Sequence, residues 1–227
     1  MIRADKEIRV YIFRTDDGRS SQERLALAVK DYEVAMGLRA CKNSESQEKC
    51  VEQLAIVRTE RGKPYFRNCP DLNFSISHSG VYWVCALYDE PLGIDIQEHT
   101  RLKGETIEGA VIRFRKMAHR FFHPVEARYV ELDAYHNFFE IWTAKESYVK
   151  YTGQGIDDNF SEICVIPTDK IEWQRSGADA DNFDVSTWTA QGAYFWECTY
   201  PENYTLCACS KKSLTKCALR VKIVLMG

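Results

Sequence analysis

Four side chains in two stretches of the sequence have the types and spacing for chemistry. Glu146 and Lys150, in FFEIWTAKESYVK (138–150), are four residues apart and so are neighbours on the surface of a helix. Asp95 and Gln97, in PLGIDIQ (91–97), alternate with Leu92, Ile94 and Ile96, so on a strand they share one face. Two carboxylates and an amide supply the oxygen donors that a hard cation takes. Mg²⁺ asks for roughly six oxygens and usually takes one or two carboxylates, with the rest from water and substrate phosphate. On spacing alone, Glu146 and Lys150 also fit an ordinary ion pair at the edge of a packed helix face.

Further polar groups cluster near these two stretches. RTERGKPYF (58–66) gathers Arg58, Arg61 and Lys63 around Gly62 and Pro64, either as a charged surface turn or as a cradle for phosphate. FSISHSG (74–80) places Ser77 and His78 just beyond that basic turn, where both are able to hydrogen-bond a phosphate. Arg19, in the first turn of the chain, is a weaker candidate for the same task. VIRFRKMAHR (111–120) carries Arg113, Arg115, Lys116 and Arg120, a solvated helix face or a docking patch for an acidic partner. In FFHPVEARY (121–129), Glu126 falls in the first turn after Pro124, where the helix dipole favours an acid.

The elements that must hold these groups follow from periodicity. Phe138, Phe139, Trp142 and Val149 form an apolar stripe at helical spacing, so 138–150 is a helix, stopped by Gly153 and Gly155. IRVYIF (8–13) is a first strand, Asp16-Asp17-Gly18 a turn, and Ser20 with Glu23 a capping box opening a helix to about Leu38 near Gly37. Residues 43–49 are polar and loop-like, and 55–58 is a short strand. Tyr82–Tyr88 and Leu92–Gln97, joined by Asp89-Glu90-Pro91, predict an antiparallel hairpin. The polar run His99–Glu105 is the expected boundary between an N-terminal half, 1–98, and a C-terminal half, 99–227. A helix from Thr106 to about Phe122 follows that boundary. Beyond Ile156 the chain reads as β-rich, with strands expected at 162–166, 171–174, 192–200, 204–210 and 219–225 and a turn at Pro201-Glu202-Asn203.

Composition sets the outer bounds. The 227 residues are 45% hydrophobic and 28% charged, enough apolar mass for a folded core, and the net charge of −3 recruits neither nucleic acid nor an acidic membrane. No apolar run approaches the ~18 residues of a membrane span, and MIRADKEIRVYIF lacks the apolar stretch of a signal peptide. Nine cysteines without a C-x-x-C pair suit a reduced, cytoplasmic protein, with Cys207 and Cys209 facing a core from one strand. A monomer is expected.

GIDI (93–96), WTAKESYVK (142–150) and FSISHSG (74–80) resemble, in order, the signature blocks of the 4′-phosphopantetheinyl transferases of the larger, surfactin-synthetase-activating type. The resemblance runs from about Arg58 to Gly155 and matches every fixed position of the G-[IV]-D and W-[ST]-x-K-E-[AS]-x-x-K patterns. It implies an α+β fold, a pseudo-dimer of two similar halves, each a small antiparallel sheet packed on helices, with the site between them. It implies transfer of the phosphopantetheine arm of coenzyme A to a serine of an apo acyl or peptidyl carrier protein, with release of 3′,5′-ADP and dependence on Mg²⁺. In that scheme Asp95, Glu146 and in some way Gln97 meet the metal, and Lys150 offsets phosphate charge. Arg58, Arg61, Lys63, Ser77 and His78 hold coenzyme A, and Glu126 takes the serine proton. Lys145 touches the phosphates or the incoming serine, and the carrier docks near Arg113, Arg115, Lys116 and Arg120. Gln97 departs from the acid that many bacterial members carry there, removing one charge from the site. A coenzyme A-binding module without catalysis and a Mg²⁺-dependent phosphohydrolase are the rival readings.

Overall fold

A computed structural model describes residues 8–36, 55–167, 175–176, 185–200, 202–211 and 221–226. Gly37, the polar loop at 43–49, the strand expected at 171–174 and Pro201 lie outside the described residues.

Two sheets pack face to face. The first contains β1 (Ile8–Arg14), β4 (Asn73–Ser79), β5 (Tyr82–Tyr88) and β11 (Val221–Met226), in the order β11-β1-β5-β4. The second contains β6 (Leu92–Glu98), β7 (Arg175–Ser176), β8 (Val185–Ala190), β9 (Ala193–Thr199) and β10 (Tyr204–Lys211), in the order β6-β10-β9-β8-β7. A separate two-stranded ribbon pairs β2 (Ile56–Arg58) with β3 (Pro64–Phe66). Alternation along the strands builds the layer between the sheets: Val10, Ile12, Val84 and Ala86 of the first meet Ile94, Ile96, Leu206 and Ala208 of the second. The odd-numbered face of β10 turns the other way, and Cys207 and Cys209 are buried there, as the sequence predicts.

Helices cover the outer faces. Helix α1 (Ser21–Ala35) lies on the first sheet through Leu25, Ala28 and Val29, against Tyr11, Phe13 and Trp83. Its start is the predicted capping box: Ser20 Oγ accepts from the Glu23 N–H at 3.2 Å, and Glu23 accepts from the Ser20 N–H at 2.6 Å. Helices α2 (Ile107–Phe121), α3 (Pro124–Leu132) and α4 (Ala134–Thr152) gather on the second sheet. The apolar stripe of α4 packs on α2 and α3, with Phe138 stacked on Phe114 at 4.6 Å and on Phe122 at 5.2 Å. Gly153, in the left-handed region at φ 72°, ends α4 as expected.

The fold is α+β, built from two small sheets with helices on their outer faces, and three sequence expectations need correction. The two runs 82–88 and 92–97 are not a hairpin, because β5 pairs with β1 and β4 while β6 pairs with β10. Sheet membership therefore crosses the boundary drawn at residue 98: β6 joins the second sheet, and β11 returns to lie parallel to β1, so the first sheet is mixed. Residues 162–166 form no strand. Cys164, Val165 and Ile166 are nonetheless buried, which explains the apolar run that imitates one.

Candidate active site

The site begins where an edge of each sheet meets the other. Strand β4 ends the first sheet and β6 the second, and three serines of β4 join them. The Ile94 N–H donates to Ser75 Oγ at 3.1 Å, Ser77 Oγ donates to Asp95 Oδ1 at 2.6 Å, and the Glu98 N–H donates to Ser79 Oγ at 3.0 Å. The hydroxyls take the place of a neighbouring strand, so two N–H groups on the buried edge of β6 are satisfied by side chains. Ser77 is therefore turned toward Asp95 and away from the phosphate role expected of it. His78, on the opposite face of β4, is exposed and is not among the residues lining the cleft described below.

On its other side β6 presses against α4. A Cβ on Gly93 would sit 1.9 Å from the Ser147 carbonyl oxygen and 2.5 Å from the Tyr151 nitrogen. Only glycine fits there, facing the small, fully buried Ser147. This close approach brings Asp95 to the last two turns of α4, as the spacing predicts. Lys150 Nζ donates to Asp95 Oδ1 at 2.6 Å, across 55 residues of sequence. Gln97 Nε2 donates to the other oxygen, Oδ2, at 2.9 Å, so Gln97 orients Asp95 by its amide N–H. Asp95 is only 2% exposed.

Glu146 lines the same corner. Burial first, and the negative charge of Asp95 second, push its carboxyl up to about 7, against the opposing pull of Lys150. A divalent cation between the two carboxylates would relieve that cost. Asp95 and Glu146 thus fit the metal role assigned to them, with hard oxygen donors in the number Mg²⁺ takes from protein. Among the described residues no group of three His, Cys, Asp or Glu side chains converges, so the remaining ligands would come from substrate, water or the amide oxygen of Gln97.

A cleft of about 450 Å³ opens beside this pair, lined by Glu146 and Lys150, by Ser75 and Ile76 of β4, and by the β2–β3 ribbon. Gly62, at φ 87°, makes the tight turn of the ribbon, and Arg58 closes it by donating to the Gly62 carbonyl at 2.8 Å. Arg61 reaches the Gln154 carbonyl at 3.5 Å, leaning the ribbon on the loop after α4. Lys63 also lines the cleft, but its amine donates to the carbonyls of Tyr151 at 2.7 Å and Leu92 at 3.3 Å. It caps the last turn of α4, and burial lowers its pKa to about 8. Arg19 is paired with Asp17, and Ser21 at the start of α1 lines the cleft instead.

Glu126 and Lys145 stand elsewhere. Both side chains are 0% exposed and pair at 2.9 Å. Glu126 also accepts from the His123 N–H at 3.0 Å and the Val165 N–H at 2.6 Å. Lys145 reaches the Ile163 carbonyl as well and lies 4.8 Å from the centre of the Phe160 ring. With every direction filled by protein, Glu126 has no path to a serine proton in this arrangement, and Lys145 does not face the cleft. The helix-capping explanation of Glu126 is the one the geometry supports. Sequence reading missed three things: the Glu126–Lys145 pair, the serine strap and the Gly93–Ser147 contact. Alternate serines in FSISHS and a glycine two residues before Asp95 were the available signals for the last two.

Glu146, Lys150 and a basic ribbon line one cleft, with Asp95 buried behind Lys150. A family model for the 4′-phosphopantetheinyl transferase superfamily matches residues 91–209, and the chain belongs to that superfamily. It is similar to a 4′-phosphopantetheinyl transferase of Bacillus subtilis, 40% identical over 111 residues, covering 45% of this chain and 44% of the relative. The 4′-phosphopantetheinyl transferase gsp of Aneurinibacillus migulanus is 35% identical over 134 residues, 53% of this chain and 51% of the relative. The L-aminoadipate-semialdehyde dehydrogenase-phosphopantetheinyl transferase of Xenopus laevis is 29% identical over 125 residues, 49% and 39%. The chain thus spans about half the length of the curated relatives it matches, or less.

Proposed function

We propose that this chain transfers the 4′-phosphopantetheine arm of coenzyme A to a serine hydroxyl of an apo carrier protein, releasing 3′,5′-ADP. The observation that carries the reading is that Glu146 and Lys150 of α4 line one cleft while Lys150 holds the buried Asp95 of β6 just behind its wall. A Mg²⁺ ion held by Asp95 and Glu146 would supply charge neutralisation on the diphosphate. The protein does the rest. Lys150 turns to the phosphate oxygens, and Arg58 and Arg61 at the far side of the cleft bind the nucleotide end. The apolar wall of Phe74, Ile76 and Val149 takes the less polar parts of the ligand. Holding the diphosphate against this wall sets it in line for the serine oxygen, which is the larger share of catalysis in such reactions. With Glu126 sealed off, the serine proton passes to water in the cleft on the Glu146 side.

The carrier docks on the exposed face of α2. Arg113 is held bidentately by Glu105 at 2.9 and 2.8 Å, and Arg115 pairs with Glu131 at 3.1 Å. Lys116 and Arg120 have no ion-pair partner among the described residues, and exposed Ile112 adds an apolar contact on the same helix. Lys116 and Arg120 are the part of the basic cluster left for an acidic carrier.

Mass spectrometry of an apo carrier after incubation with coenzyme A and Mg²⁺ tests the reading. A gain of roughly 340 Da, one phosphopantetheine arm, is the expected result. Released phosphate without that gain supports a hydrolase, and neither product leaves a coenzyme A-binding module.

A further inference from the structure

The arrangement around Asp95 raises a question that the transfer reading does not answer. Its carboxylate is buried and accepts three donors: Ser77 and Lys150 on Oδ1 and Gln97 on Oδ2. A carboxylate offers about four lone-pair positions, two on each oxygen, so Oδ1 is full and a cation cannot simply join it there. One donor must leave. Ser77 is itself buried, and Gln97 lies two residues along the same strand. Lys150 differs from both. Its side chain is 29% exposed, it lines the cleft, and its amine sits at the end of a flexible four-carbon stem.

We propose that Lys150 is the resident counterion of Asp95 in the cation-free protein and competes with the divalent cation for Oδ1. Metal and coenzyme A then bind with positive coupling, because the diphosphate draws Lys150 away and opens Asp95. This rests on reading Asp95 and Glu146 as the metal pair and the cleft as the coenzyme A site.

The physical reason is charge balance. Asp95 is buried beside Glu146, and a buried carboxylate needs a positive partner or a set of hydrogen bonds. An ammonium and a divalent cation both meet that need, but they repel each other at contact distance from one oxygen. A metal binding alone must expel Lys150 into the cleft with nothing to receive it. A metal arriving with the diphosphate finds Lys150 a new anionic partner. Whatever affinity the metal gains from coenzyme A, coenzyme A gains from the metal, since the coupling is reciprocal. The lysine thereby keeps the empty site neutralised and makes the complete set of ligands the favoured state.

The test measures Mn²⁺ binding, by electron paramagnetic resonance of the free ion, in the absence of carrier. Lys150→Met keeps the length of the side chain and removes the charge. The expected result without coenzyme A is Mn²⁺ binding at least about tenfold tighter in Lys150→Met than in the wild type, as removal of a like charge near a cation site predicts. Coenzyme A should then tighten Mn²⁺ binding more in the wild type than in the variant. Equal or weaker binding by a folded Lys150→Met overturns the proposal. Should that variant not fold, the wild type decides. Acetylation of Lys150, followed by mass spectrometry, should accelerate severalfold on adding Mn²⁺ alone, and an unchanged rate overturns the proposal. Absence of Mn²⁺ binding to the wild type, with or without coenzyme A, removes the metal pair and this inference together. No step of the assay requires transfer, so a chain that binds Mn²⁺ this way but never loads a carrier refutes the transfer reading alone.

Discussion

Helix α4 carries two lysine–carboxylate pairs five residues apart, and they are opposites. Lys145 meets Glu126 at 2.9 Å with both side chains fully buried, while Lys150 meets Asp95 at 2.6 Å at the wall of a cleft. The first pair is enclosed by the Phe122 and Phe160 rings and the backbone of residues 163–165. It fixes the rotation of α4 against α3, and so the direction in which Glu146 and Lys150 point. The second pair has one member free to move. Similar ions at similar separations do different work because one pair is sealed by its neighbours and the other is open on one side.

Disrupting the sealed pair should give the largest effect. Lys145→Met leaves Glu126 buried without its partner, and such losses run about 3–5 kcal/mol. Urea denaturation should show that loss, partly recovered in the Lys145→Met/Glu126→Gln double variant. The folded fraction of the double variant should still load a carrier within a few-fold of the wild-type rate. A specific collapse of turnover in a stable double variant would return Glu126 to the chemistry.

Asp95→Ala should do the reverse. Lys150 then swings into the cleft, so the melting temperature stays within a few degrees, while transfer falls by on the order of 10²–10³. A stable Asp95→Ala protein with near-normal turnover would end the metal assignment. Gly93→Ala sharpens the comparison from the backbone side, since its methyl would collide with the Ser147 carbonyl. A cost of about 1–3 kcal/mol is expected for such overpacking, together with weaker Mn²⁺ binding as β6 and α4 are forced apart.

Acidity gives a smaller, graded effect. The Glu146 carboxyl is raised from its ordinary 4.5 to about 7, so metal must displace a proton below pH 7. Mn²⁺ affinity should fall about tenfold per pH unit below 7, and Glu146→Gln should flatten that profile. For stability the sign runs the other way: the favourable contribution of protonated Glu146 is full below 4.5 and fades as pH rises through about 7. The smallest change is expected far from both pairs, at the cap of α1, where Ser20→Ala should cost ~1 kcal/mol in thermal or urea unfolding and leave transfer unchanged.

The comparison also shows which parts of the site were legible. The Glu146–Lys150 spacing and the shared strand face of Asp95 and Gln97 led to a true meeting point, because helical and strand periods fix which side chains share a surface. The same periods gave α1 with its capping box and the turn that ends α4. They did not show the partners of Ser77, Lys63 and Glu126. Each is a polar residue near the right stretch of chain, and each is committed to a protein partner that only folding supplies: Asp95, the end of α4, and Lys145. They failed as well for the supposed hairpin, since an apolar strand buried on two sides carries no mark of which neighbour it will pair with.

The sequence alone determined the family, the α+β class and the residues of the candidate corner, because local periodicity and a few fixed residue types are written in one dimension. Tertiary structure alone decided which ionic groups are sealed and which are open. Burial and hydrogen-bond partners belong to the packing of distant segments, and the same lysine or carboxylate takes either role according to what closes over it.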